Sequence, residues 1–264
     1  MLTINDLLMI ISSIGVINSL FVILYLVFSS RGDKRLNLLL AMLVAGFTIR
    51  IGKSVVFYFS DHLSTVIINM GFAGFLTIGP FLYLYFKALW KNASQIGFRQ
   101  LLHFVPAAIA LSLCWLIPYY PQSKYWQAGY LFIILQIFSY ILLTGFVFFK
   151  SYPDKESQKN TWLMKVRWST YLLGSILLVW LAYFLHFPLR LGSYINGAVF
   201  YSLIIYVVIY KWARMNKGRY SVHDKKKYLE WTRKHGRGDQ FKGNGLLPGA
   251  FTWWQTPLFQ KLLN

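Results

Sequence analysis

Two cations three residues apart, Arg50 and Lys53, interrupt a long apolar run from Leu36 to Phe59. That spacing puts both on one face of a helix. Inserting an ionisable side chain into a bilayer costs about 2.5 to 3.5 kcal/mol, so such residues mark a site by default. Counted from Leu36, Arg50 lies about 21 Å and Lys53 about 25 Å into a hydrocarbon core about 30 Å thick. Lys53 is close enough to the far surface to snorkel there, whereas Arg50 is deeper and less able to. Asn69, Gln127, His186, Tyr194 and Asn196 fall at similar depth in the neighbouring apolar runs. Together they can line an outward-opening pocket with a positive floor, suited to a small polar or anionic ligand from outside. Taken singly, Asn and Gln are also the residues that bond helix to helix inside membranes.

A second group lies toward the other end of the same runs. Gly79-Pro80 interrupts an apolar segment that ends in Tyr83, Tyr85, Lys87, Trp90 and Lys91, and apolar sequence resumes at Leu101 with His103 and Pro106 in its first turns. Proline frees the carbonyl four residues earlier and bends a helix, so this point reads either as a hinge or as a fixed bend. His103 reads either as a ligand or as a hydrogen-bonded histidine at the interface.

Elements of membrane length must carry these residues. Of 264 residues 56% are hydrophobic and 13% charged, with a mean hydropathy of +0.47. Soluble domains carry about 25% charged residues, so the chain has about half the charge needed to clothe a surface in water. An all-α fold follows, because the apolar runs are continuous rather than alternating. Seven runs approach the roughly 20 residues that a spanning helix needs: Leu7 to Ser29, Leu36 to Phe59, Ser64 to Phe86, Leu101 to Ile117, Trp126 to Phe149, Trp168 to Phe187 and Leu191 to Tyr210. The first has no basic start of the kind a cleaved signal peptide carries, and is expected to be retained.

Charge gives an orientation. The connections after runs 1, 3 and 5, with everything from Lys211 onward, hold 23 of the 27 Lys and Arg, while the connections after runs 2, 4 and 6 hold only Lys124 and Arg190. By the positive-inside rule the N-terminus is outside and the basic end cytoplasmic. Residues 1–210 then form a seven-helix transmembrane domain, and 211–264 a basic tail expected to be poorly ordered or truncated. A net charge of +19 also suits nucleic acid. Its placement favours anionic lipid headgroups instead, held by Lys211, Arg214, Lys217, Arg219, Lys225, Lys226 and Lys227.

Sequence patterns for catalysis are missing: there is no His-Glu-x-x-His, Gly-x-Ser-x-Gly or phosphate loop. The chain is read as no enzyme, with no cofactor and no metal. The single cysteine, Cys114, gives neither an intrachain disulfide nor a cysteine metal site. None of the eight acidic residues lies within a run, which argues against a proton-coupled carrier.

At Gly79-Pro80-x-Leu82-Tyr83-x-Tyr85 and Leu101-Leu102-His103-Phe104-x-Pro106 the chain resembles the multi-span N-terminal half of membrane-anchored AraC-type transcriptional regulators of Bacteroidetes-like bacteria. The order of features over residues 7 to 215 fits as well. The resemblance implies a sensory membrane module, in a family whose cytoplasmic helix-turn-helix domain binds DNA, and a second copy of the chain is an expected partner. Only 54 residues follow Tyr210, without the apolar period of a recognition helix. DNA binding is therefore expected only if a missing domain is supplied, and a frameshift or premature stop is one origin for the Gly- and Trp-rich ending. A small-solute carrier and a non-functional truncated product are the other readings. The carrier would need an inverted repeat, and none is visible between runs 1 to 3 and 5 to 7.

Overall fold

Each apolar run forms helix where lipid leaves the backbone no other partner than itself. The computed structural model describes residues 3–28, 33–60, 64–91, 97–118, 120, 123–151, 159–191 and 196–212. Its helices are α1 (Ile4–Phe28), α2 (Lys34–Phe59), α3 (Thr65–Lys91), α4 (Phe98–Leu101), α5 (Val105–Ser112), α6 (Lys124–Lys150), α7 (Lys159–His186) and α8 (Asn196–Trp212). Local chemistry sets two of the starts. The Asp33 carboxylate accepts from the Arg35 and Leu36 amides to open α2, and Ser123 accepts from the Trp126 amide to open α6.

Among the described residues α1, α2, α3, α6 and α7 are long and apolar enough to cross a membrane. The protein is a polytopic all-helical membrane protein. The two remaining runs are not among these five. α8 covers the described part of the seventh run, 17 residues from Asn196 to Trp212. The fourth run is broken into α4, a 3₁₀ turn at Leu102–Phe104 and α5, which stops at Ser112 instead of reaching Ile117.

A proline stands at the start of that short helix and another beyond its end. Pro106, in the first turn of α5, has no N–H to give the Leu102 carbonyl, which takes the Val105 amide in a tighter turn. Beyond Ser112 the chain goes into turns, and Pro118 at their end has no N–H for the Cys114 carbonyl four residues before it.

α3 is the centre of the bundle, packed on α2, α6 and α5. Close approach to α2 depends on glycine. A Cβ at Gly46 would lie 2.8 Å from Thr77 Oγ1 and 3.0 Å from the Gly74 carbonyl, so the close approach there requires a residue without a side chain. α1 is the least enclosed helix and keeps to α2 and α8. Its seam with α8 is polar: Ser19 Oγ and the Tyr201 hydroxyl are 2.8 Å apart, the Asn18 amide donates to the Tyr206 hydroxyl, and Gly15 faces Ser202.

Candidate functional site: a caged arginine and a tyrosine-histidine cluster

Arg50 sits where α2, α3 and α7 converge and is only 3% exposed. Its guanidinium carbon lies 5.2 Å from the ring centre of Tyr183, 5.3 Å from Phe75 and 5.9 Å from Phe187. Nη1 donates to Ser54 Oγ at 3.1 Å. Nε is buried with no hydrogen-bond partner, and so is the Tyr183 hydroxyl. Among the described residues no carboxylate pairs with this cation. Three aromatic faces therefore stand in for a counter-ion; such contacts are worth about 0.5 to 2 kcal/mol, more when dry. The arrangement leaves one buried donor from Arg50 and one hydroxyl unsatisfied, which a ligand with two oxygen acceptors would relieve.

The other expected pocket residues divide. Lys53 lays its stem on Gly71, with Nζ 5.5 Å from the Phe57 ring one turn nearer the helix end. Asn69 is buried, and its amide nitrogen donates to the Cys114 and Ile117 carbonyls at 2.8 Å each. That spends it on the carbonyl Pro118 leaves unserved, and makes it helix-to-helix glue. His186 stands beside Phe187, with ring centres 4.8 Å apart. Gln127 and Asn196 are exposed. Gly197, next to Asn196, lies against the Tyr183 ring, where a Cβ would come within 2.8 Å of Cζ. Tyr194 lies outside the described residues. So Arg50 is brought together with aromatic residues more than with the polar set expected around it.

Phe75, Tyr183 and Phe187 were legible only indirectly. Tyr183 and Phe187 are four apart and stack with ring centres 6.1 Å apart and planes 12° from parallel, a spacing that puts two rings on one face. Nothing in their own sequence says that this face meets Arg50.

The motif residues do converge. α3 runs unbroken through Gly79 and Pro80, both buried. The carbonyl that Pro80 leaves unserved is that of Leu76, and it accepts from Gln136 Nε2 of α6 at 3.1 Å. One turn further on, His103 Nδ1 and the Tyr140 hydroxyl share a 2.8 Å hydrogen bond. Tyr83 lies 5.5 Å from the His103 ring and 6.4 Å from Tyr140, with Lys87 Nζ 5.8 Å from Tyr83. Tyr85 accepts from Trp168 Nε1 at 2.6 Å, joining α3 to α7. Pro106 opens α5 just beyond His103. Of the surface cations expected to hold headgroups, Lys211 packs over the Tyr171 ring at 4.3 Å; Arg214, Lys217, Arg219, Lys225, Lys226 and Lys227 lie outside the described residues.

No His, Cys, Asp or Glu cluster able to hold a metal occurs among the described residues. No family model matches the chain, and no curated protein or solved structure shows significant similarity to it. The class that fold and site define is thus a polytopic helical membrane protein with a buried, aromatic-caged arginine.

Proposed function

We propose that the protein is a membrane sensory module, of the kind carried by the AraC-type regulators it resembles, without DNA binding of its own and without a catalytic step. The observation that carries this reading is Arg50: a buried cation with an unsatisfied donor and no carboxylate among the described residues. A bundle that only needed stability would gain by replacing it, since lone buried charges are destabilising. In this reading a small anionic group reaches Arg50 and the Tyr183 hydroxyl from the outer side, in a bacterial inner membrane with the N-terminus outside. Phe75, one turn before Gly79-Pro80, passes the displaced cage onto α3, and the Tyr83, His103 and Tyr140 cluster receives it near the basic end. The ligand must favour one cage arrangement by its differential affinity.

The test is thermal unfolding of the purified protein in nanodiscs against a panel of small carboxylates and phosphate. A true ligand at one hundred times its Kd stabilises by about 2.7 kcal/mol. The Arg50→Gln protein should keep its fold and lose that response. If Arg50→Gln leaves both stability and every anion response as in the parent, the sensory site is not at Arg50.

A further inference from the structure

We infer that a cleft between α2, α7 and α8 binds one acyl chain of an anionic phospholipid. The cleft runs from Leu40 to Phe47 on α2, from Leu172 to Val179 on α7 and from Val208 to Tyr201 on α8; it is narrow, half open along its length and presents only apolar walls. Each wall is two helical turns, about 11 Å long. Its deep end is closed by Phe47 stacked on Tyr201, with ring centres 5.4 Å apart, and by the Tyr201 hydroxyl bonded to Ser19.

Size selects the occupant. A helix about 10 Å across would lie over so narrow a groove rather than enter it, whereas a single hydrocarbon chain is thin enough to lie within it. Charge selects its headgroup. Lys211 is three residues past Val208, and its ammonium is held over Tyr171, beside Leu172, at the seam of α7 and α8 where the cleft ends. Lys34, exposed at the start of α2, and Arg167, exposed in the first third of α7, lie toward the same side. From Lys211 to Tyr201 is about 15 Å of helix, half of a core about 30 Å thick. A phosphate at Lys211 would thus place its chain alongside the cleft to about the bilayer midplane. This site stands whether or not Arg50 receives a ligand.

The experiment uses protein purified in a neutral detergent, with its melting temperature followed as lipids are added. Long-chain phosphatidylglycerol should raise it by several degrees, more than long-chain phosphatidylcholine or dihexanoyl phosphatidylglycerol does. Ser175→Trp, which adds bulk to a cleft wall, should lose the difference between long and short chains, and Lys211→Gln the difference between headgroups. Ser175→Leu gives the same reading if the tryptophan variant does not fold. Equal shifts from long and short chains in the parent protein, equal shifts from both headgroups, or an unchanged chain-length effect in a folded Ser175 variant would overturn the assignment.

Discussion

At the scale of single residues, two prolines and two amides solve one problem. Pro80 and Pro118 each leave a carbonyl four residues earlier without its helical N–H, and in hydrocarbon no water takes its place. Gln136 serves Leu76, and Asn69 serves Cys114. Side-chain hydrogen bonds between membrane helices average about 0.6 kcal/mol and reach about 1.7. We expect Gln136→Leu to destabilise the protein within that range in reversible unfolding from mixed micelles. The same change made on a Pro80→Ala background should cost close to nothing, because the backbone amide that alanine restores at this position then serves Leu76. A cost that is equal on both backgrounds would show that Gln136 acts through other contacts. Asn69→Leu should be at least as costly as Gln136→Leu, since it strands two carbonyls. The sequence showed half of this. A proline names the acceptor it strands, by counting back four, but not the donor, which comes from another helix. Asn69 therefore read either as a pocket residue or as helix-to-helix glue, with its acceptors unnamed, and Gln136 not at all.

At the scale of elements, helix approach is governed by where a side chain would collide. A Cβ at Gly79 would meet the Tyr140 ring, lying 2.8 Å from its Cγ, so α3 and α6 touch backbone to ring beside Pro80. Gly79→Ala should therefore cost about 1 to 3 kcal/mol as overpacking, measured by the same unfolding, and less on a Tyr140→Leu background. Gly145, inside α6 with nothing within 4 Å of an added Cβ, is the contrast: Gly145→Ala should gain about 0.5 to 1 kcal/mol from lower chain entropy. Were both substitutions to move stability the same way, propensity rather than packing would control the seam. The long spans were legible because length and hydropathy suffice for them. Observed ends fall within about five residues of those expected for α1, α2, α3 and α6, while α7 starts nine residues earlier, at Lys159 rather than Trp168. The fourth run was not legible as it is built. Pro106 and Pro118 stood in view, but composition alone could not tell a proline absorbed within α3 from prolines that stand at a break.

At the scale of the whole molecule, contacts between helices line up the ends that charge had only suggested. Asp6 at the start of α1 accepts from Tyr58 at the end of α2, while Tyr25 at the end of α1 meets Trp212 at the end of α8. Trp90 near the end of α3 donates to Ser169 in the first half of α7, and Phe148 near the end of α6 packs on that tryptophan. Tyr130 in the first half of α6 stacks on Phe187 just past α7. The ends carrying Lys34, Lys91, Lys150, Arg167 and Lys211 therefore collect on one side, and Lys124 and Arg190 on the other. Loops rich in Lys and Arg tend to stay on the cytoplasmic side, so this asymmetry predicts an orientation. Single cysteines placed in a Cys114→Ser background test it directly. Lys124→Cys and Arg190→Cys should react with a membrane-impermeant maleimide on intact cells. Lys91→Cys and Lys150→Cys should react only after lysis. The opposite pattern would invert the molecule and put the Arg50 side in the cytoplasm, and labelling of both sets from outside would mean that the basic ends do not share one face.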